Sequence, residues 1–215
     1  MIPNYEIDEF GVIHQIEWKT KIYDSQYISY YQGLRERTIK LGYQRLGWVS
    51  GILHNDRPKN VLEFGYGLGT FLEAAQLAGI EDCCGCDVAD YPLPQGCSFL
   101  NWEQSLDRSW DLVAMFDVLE HIPELNFLEK LNANYLAIAV PWCRWDELGD
   151  QWFANWRMLL PDEHLHHFNP DSLEKLLRFH GYELVDLNTL EDGLRLRPGE
   201  TGPNIFSGFY RRSSR

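Results

Sequence analysis

The stretch Val61-Leu62-Glu63-Phe64-Gly65-Tyr66-Gly67-Leu68-Gly69-Thr70 carries the reading of the fold. An apolar run meets an acidic residue, glycines follow at three alternate positions, and an apolar helical pattern continues through Phe71, Leu72, Ala74, Ala75, Leu77 and Ala78. That order predicts a buried strand, a tight turn and the start of a helix, the opening unit of a doubly wound α/β domain. Glycine serves the turn twice. It reaches positive φ, and it lets a ligand approach the main chain where a Cβ would block it. The free amides at the start of the helix offer donors and partial positive charge to an anionic group. A small-molecule cofactor is the expected occupant.

Spacing narrows the choice of cofactor. A dinucleotide fingerprint, Gly-x-Gly-x-x-Gly, would place its third glycine at position 70, which is Thr70. The order here is Glu63-x-Gly65-x-Gly67-x-Gly69, which resembles the first motif of the class I S-adenosylmethionine-dependent methyltransferases. The segment Phe116-Asp117-Val118-Leu119-Glu120-His121-Ile122-Pro123-Glu124 resembles that family's fourth-strand motif. His166-His167-Phe168-Asn169-Pro170-Asp171-Ser172-Leu173 and Phe179-His180-Gly181-Tyr182 are similar to its broad small-molecule branch, which includes ubiquinone-pathway and sugar methyltransferases. The likeness covers about residues 58–190.

This resemblance implies a Rossmann-like doubly wound sheet of seven strands, the last antiparallel, with helices on both faces. It implies S-adenosylmethionine as cofactor and a small-molecule methyl acceptor. Glu63, Gly65, Tyr66, Gly67 and Gly69 would shape the methionine end, and Phe116 with Asp117 would flank the adenosine. Asp87, eighteen positions after Gly69, ends the next predicted strand, where a carboxylate can accept from both ribose hydroxyls. That position, with Val88 beside it, serves NAD and S-adenosylmethionine alike. Asn101 and Trp102 end the third strand, where the family contacts adenine, although many members carry an aspartate there.

Composition sets the outer bounds. A chain of 215 residues with 45% apolar content is expected to build one domain with a substantial core. A net charge of −13 argues against nucleic acid and anionic membranes as partners. No apolar run approaches the ~20 residues of a membrane span. Met1-Ile2-Pro3-Asn4-Tyr5-Glu6 lacks the basic and apolar regions of a signal peptide, so a cytoplasmic location is expected. The five cysteines do not form two separated pairs, so they are read as buried, reduced thiols and no metal is assigned.

Taken in order, residues 1–55 predict a short hairpin followed by one or two helices. Tyr27, Tyr30, Tyr31, Leu34, Ile39, Leu41, Leu46, Val49 and Leu53 mark the helical face, while Gly33, Gly42 and Gly47 argue against one straight helix. Residues 58–141 form the cofactor-binding half, with strands alternating with helices, one of them through Phe127, Leu128 and Leu131. Residues 142–165 break the rhythm with Trp142, Trp145, Trp152, Phe153 and Trp156, which suit a lid, a subunit contact or an extra core layer. Residues 166–215 supply a helix capped by Ser172 or Asp171 and ended by His180-Gly181, then strands at Tyr182–Leu187 and Ile205–Tyr210. The basic end from Arg211 reads as a frayed terminus.

Methyl transfer asks mainly for positioning, because the sulfonium carbon is already electrophilic. A hydroxyl acceptor gains from a general base, for which His121, His166 and His167 are the first candidates, with His164 and Asp117 behind them. Asp117, Glu120 and His121 also stand at i, i+3 and i+4, a spacing that can face one way on a helical turn, and the histidines among residues 164–167 could complete an oxygen and nitrogen metal site. Some relatives, including a small-RNA ribose 2′-O-methyltransferase group, hold a divalent ion on a Glu-x-x-Glu-His set with a distant histidine. Here the first glutamate is replaced by the shorter Asp117. Three alternatives remain at this stage: an NAD-dependent oxidoreductase, a metal-dependent RNA ribose methyltransferase and a non-catalytic S-adenosylmethionine-binding module. Oligomeric state is not legible.

Overall fold

A computed structural model describes residues 2–21, 29, 32–54, 56–88 and 91–213. The positions Tyr27, Tyr30 and Tyr31, given above to the helical face, lie outside the described residues, as do Ser214 and Arg215. Two sheets are present among the described residues. The larger has seven strands: β3 (Asn60–Phe64), β4 (Asp82–Cys86), β5 (Ser98–Phe99), β6 (Ser109–Phe116), β7 (Asn132–Pro141), β9 (Tyr182–Asn188) and β10 (Ile205–Arg212). Its order is β5-β4-β3-β6-β7-β10-β9. The pairs among β3 to β7 are parallel, whereas β10 runs antiparallel to both β7 and β9, so the final strand is the reversed one.

The apolar runs of β3 and β6 follow from burial on both faces. Successive strand residues point to opposite sides. Leu62, Phe64, Val113 and Met115 accordingly join one core cluster, while Val61, Leu112 and Ala114 join the other. Helices α1 (Arg35–Leu53) and α2 (Thr70–Leu77) cover the second face, and α5 (Pro170–Phe179) contributes Leu173, Leu176 and Leu177 to the first. The short α3 (Trp102–Leu106) follows β5.

Helix α1 is continuous over 19 residues despite Gly42, Gly47 and Gly51, contrary to the expectation of a break. Close packing accounts for Gly42: a Cβ there would stand 2.5 Å from the Thr70 carbonyl oxygen. Thr70 Oγ1 in turn donates to the Thr38 carbonyl at 2.9 Å, so α1 is seated on the first turn of α2.

The expected N-terminal hairpin is present outside the main sheet as β1 (Tyr5–Ile7) and β2 (Ile13–Gln15). A third strand, β8 (His166–His167), joins it antiparallel to β2. Residues read as the approach to a helix therefore pair as a strand first. Under this small sheet Tyr5, Ile13, Cys143 and Phe153 form a third core cluster with Trp145, Trp152 and Trp156 packed against it.

Four further expectations are corrected. The Trp-rich segment contains α4 (Trp145–Ala154), interrupted at Gly149 with φ 74°. Only a 3-10 helix, Leu125–Glu129, forms near Phe127, and Leu131 lies beyond it. Helix α5 is capped by Asn169, whose side chain accepts from the Ser172 amide at 2.7 Å while Ser172 Oγ reaches back to the Asn169 amide. Ser172 is thus the third helical residue of a capping box. Arg212 is not frayed: its guanidinium donates to Ala133 and Leu131 carbonyls and lies 4.8 Å from the Tyr182 ring centroid. An unforeseen short helix, α6 (Asp192–Arg195), lies between β9 and β10.

Candidate active site

A cavity of about 600 Å³ opens at the carboxyl ends of β3, β4 and β6, where an open α/β sheet is expected to bind ligands. The turn after β3 builds its floor. Gly65, Gly67 and Gly69 all have positive φ, at 61°, 50° and 65°. A Cβ on Gly65 would strike Val118 Cγ2 at 2.3 Å, and one on Gly69 would strike Pro94 Cδ at 2.6 Å. At Gly67 a Cβ would meet no atom within 4 Å, and this residue lines the cavity. Two glycines therefore admit neighbouring elements, and the third leaves its main chain open to a ligand.

Of the positions singled out in the sequence, Gly65, Gly67, Asp87, Val88, Asn101, Trp102, Asp117 and His121 line the cavity. Asp87 accepts from the Gly67 amide at 3.0 Å, which couples the strand-end carboxylate to the glycine turn. Asn101 caps α3, its side chain accepting from the Gln104 amide at 2.9 Å. Trp102 packs on Phe64 and Phe127 at 5.1 and 5.2 Å between ring centroids, making one aromatic wall. Tyr91, Phe99, Val118, Ile122, Pro123 and Phe127 also contribute, and none was given a site role from the sequence, although Val118, Ile122 and Pro123 belong to the quoted fourth-strand motif.

Glu63, Tyr66, Gly69 and Phe116 do not line the cavity. Tyr66 is buried and its hydroxyl donates to the Tyr91 carbonyl. The Phe116 ring faces α1, edge-on to Phe71 at 5.1 Å and with the Arg45 guanidinium 4.2 Å above it. Glu63 is buried with one carboxylate oxygen lacking a partner. Burial raises its pKa to about 8, against the pull of Arg45.

Asp117 takes a left-handed φ of 57° and is held by two arginines. Arg195 donates to both its oxygens at 2.6 and 2.8 Å, and Arg45 lies 3.5 Å away. Both arginines also engage Glu191, at 2.7 to 2.9 Å. Burial alone would push the Asp117 carboxyl up, but Arg195 and then Arg45 hold it at about 2. The set joins α1, the end of β6 and α6. Neither Arg45, Glu191 nor Arg195 was singled out from the sequence: Glu191 and Arg195 pair locally at i, i+4, but the contacts that bring the arginines to Asp117 span more than seventy positions and leave no local spacing to read.

The three candidate histidines separate. His166 lies in the small sheet, with Nε2 on the Ile122 carbonyl at 2.9 Å and Nδ1 on His14 Nδ1 at 2.7 Å. Burial, then His14, depress it to about 4. His167 is enclosed by Tyr5, Phe153 and Trp156, its Nε2 without a partner, and burial lowers it to about 3. His121 alone of the three lines the cavity. Its Nδ1 donates to the Glu163 carbonyl at 2.8 Å, and burial, then His164, lower it to about 4. Neutral at physiological pH, it is a weak base.

With this geometry in view, the comparisons are specific. Residues 31–187 match the family described as a methyltransferase domain. The chain belongs to that family. No curated protein matches it closely enough to add a nearer relative. The plantazolicin methyltransferase BpumL, solved with a monoazolic desmethylPZN analogue and S-adenosylhomocysteine (SAH), is 14% identical with a TM-score of 0.58, covering 89% of this chain and 91% of its own. The Burkholderia thailandensis 1,6-didemethyltoxoflavin-N1-methyltransferase with bound SAH is 14% identical, with a TM-score of 0.56 and coverage of 98% and 100%. The magnesium protoporphyrin IX methyltransferase of Synechocystis with bound SAH is 17% identical, with a TM-score of 0.50 and coverage of 91% and 90%. At such identities the likeness shows the fold.

The methyltransferase uses S-adenosylmethionine as its cofactor. The residues present fit it: the Gly67 main chain lies open to the cavity where a side chain would intrude, and Asp87 stands beside it. Family membership removes the NAD-dependent oxidoreductase reading. Among the described residues, no helix is long and apolar enough to cross a membrane.

Proposed function

We propose that this methyltransferase moves a methyl group to an oxygen of a small-molecule acceptor. The observation that carries the reading is the cavity itself. At about 600 Å³ it lies within the size range of small-molecule sites, with room for a nucleoside-bearing cofactor and a compact acceptor. Gly65, Gly67 and Asp87 serve the cofactor from one side, with Asn101 and Trp102 at the adenine end. Val118, Ile122, Pro123 and Phe127 offer apolar walls that exclude water from the reacting atoms. The net charge of −13 makes an extended polyanion a poor acceptor.

S-adenosylmethionine held by the glycine turn and Asp87 would supply an electrophilic methyl carbon to the acceptor oxygen, with SAH as the product. The protein's part is alignment, an effect worth several kcal/mol. The acceptor's proton passes to water, since the His121 imidazole at about 4 is too weak a base to hold it near neutrality. The Asp117 carboxylate, ionised and paired with Arg195, is a fixed polar group at the cavity wall.

The test is transfer of label from methyl-labelled S-adenosylmethionine to matched small hydroxyl, amine and thiol acceptors, with a short RNA alongside. The expected result is label on hydroxyl compounds. Label confined to amines, thiols or RNA would overturn the reading.

A further inference from the structure

We infer that Cys83 and Cys97 are an oxidisable pair, joined reversibly as a disulfide by exchange with a small-molecule disulfide, and that the link fastens the loop beside the glycine turn to β4. Sheet register sets the pair. Strands β4 and β5 are parallel, with Cys84 opposite Ser98 and Gly85 opposite Phe99. One position earlier on each strand path stand Cys83 and Cys97. Successive strand residues point to opposite faces, so Cys84 joins one core cluster and Cys83 the other. Cys97 packs against the cluster that holds Cys83, so the two thiols share a face. Neighbouring strands lie about 4.8 Å apart, within the roughly 4.4–6.8 Å between Cα atoms that a disulfide spans. The Cys83 thiol donates toward the Cys97 sulfur, and the Ile80 carbonyl stands 3.5 Å from Cys83 Sγ as a second acceptor.

The two thiols have different tasks. Cys83 is buried, whereas Cys97 is half-buried next to β5, the edge strand of the large sheet. The hydrogen bond from Cys83 holds the Cys97 pKa below the usual thiol value, and that bond, then burial, push the Cys83 thiol up. Thiolate is the form that attacks a disulfide, so Cys97 is the entry point and Cys83 the resolving thiol. Gly96, beside Cys97, lines an open groove with Glu73, Gln76 and Pro94, where an incoming disulfide has room.

The other three cysteines are placed differently. Cys84 lies on the opposite face, its thiol 3.3 Å from an Asp82 oxygen, and burial raises it to about 11. Burial also raises Cys86. Cys143 belongs to the third core cluster, where burial pushes it up to about 12.

With glutathione disulfide as the partner, the Cys97 thiolate attacks one sulfur. The new bond forms as the glutathione sulfur–sulfur bond breaks, and one glutathione thiolate leaves. Cys83 then attacks the Cys97 sulfur and releases the second glutathione. The two cysteine protons pass through solvent to the departing thiolates, and the two electrons lost by the cysteines reduce the glutathione disulfide.

The link closes the end of a loop that borders the cofactor cavity. The Cys97 amide donates to the Pro94 carbonyl at 3.1 Å, and Pro94 sits against Gly69, where a Cβ would stand 2.6 Å from its Cδ. Farther along the loop, Tyr91 lines the cavity and its carbonyl accepts from the Tyr66 hydroxyl. A disulfide at Cys97 ties this loop to β4 and restricts the unfolded chain, which raises stability.

The test exposes the folded, untagged chain to excess glutathione disulfide, alkylates the remaining thiols and maps the peptides by mass spectrometry. Neither cofactor nor acceptor is present, so the outcome is separate from that of methyl transfer. Of the five cysteines, three should be alkylated and two joined, Cys83 to Cys97, with full reversal by dithiothreitol. The oxidised form should melt several degrees higher, on the order of 5 °C. In Cys83→Ser, glutathione should accumulate as a mixed disulfide on Cys97. In Cys97→Ser, Cys83 should stay reduced. Circular dichroism checks the fold of both variants, and the wild-type map stands without them. Five free thiols after exposure, or a disulfide between any other two cysteines, would overturn the inference. So would glutathione held by Cys84, Cys86 or Cys143 in Cys83→Ser while Cys97 stays free. A Tm unchanged or lowered by oxidation would overturn the fastening of the loop.

Discussion

Glu63 shows how a motif residue can matter without touching the cavity. Its carboxyl sits under the glycine turn, buried, with a pKa raised from the usual carboxylate range to about 8. A raised folded-state value makes the group's contribution to stability complete below about pH 4.5 and progressively lost as pH rises through about 8. Glu63→Gln, which keeps the shape and cannot ionise, should therefore gain on the wild type across that window. Urea unfolding at pH 5 and pH 8 should show the difference growing by on the order of 3 kcal/mol. A difference that stays flat, or shrinks with pH, would remove the buried neutral carboxyl from the description. His167 sets the opposite sign. Its folded value near 3 lies below the ordinary ~6.5, so its neutral burial costs nothing above that pH and destabilises the fold as pH falls. His167→Leu should lose less stability than the wild type between pH 7 and pH 4.5 in the same assay.

Helix α1 and the turn after β3 lie at opposite ends of legibility. Strand β3, the positive-φ glycines and α2 follow one another in the order the residues state, because each glycine sits where no other residue relaxes easily. Glycine spacing misled for α1, since Gly42 is present to let a neighbouring backbone approach and the helix continues through it. Helix propensity and packing can be separated here. Gly47→Ala and Gly51→Ala, whose new Cβ atoms would enter open space, should each stabilise by up to about 1 kcal/mol. Gly42→Ala should destabilise despite the same propensity gain, by about 2 kcal/mol or more, because its Cβ would stand 2.5 Å from the Thr70 carbonyl oxygen. Thermal unfolding of the three variants decides the point, and a stabilised Gly42→Ala would contradict the close crossing of α1 and α2. The Trp-rich segment was hidden differently: Gly149 interrupts α4, and aromatic residues on several sides obscure the helical period.

Across the whole molecule, the cavity floor was readable and its surroundings were not. Gly65, Gly67, Asp87, Asn101 and Trp102 come from three consecutive strand ends, which local pattern can order. In the clamp of Arg45, Glu191 and Arg195 on Asp117, the approach of both arginines to Asp117 depends on how distant segments fold together, as does the meeting of Glu120 with His164, and only the i, i+4 pair of Glu191 and Arg195 is local. The clamp balances two arginines against two carboxylates in a buried setting, so removing one member strands the others. Glu191→Gln should cost about 3 kcal/mol or more in unfolding stability. Stability within 0.5 kcal/mol of the wild type, roughly the range of an ordinary surface change, would contradict the clamp's structural weight. The most direct measurement for the molecule is calorimetric titration of SAH into the wild type and Asp87→Ala, with NAD as a parallel ligand. The expected outcome is one SAH per chain, an affinity reduced about 10- to 100-fold in Asp87→Ala, and no heat from NAD. Binding of NAD without SAH, or an Asp87→Ala affinity equal to the wild type, would contradict a cofactor seated between the glycine turn and Asp87.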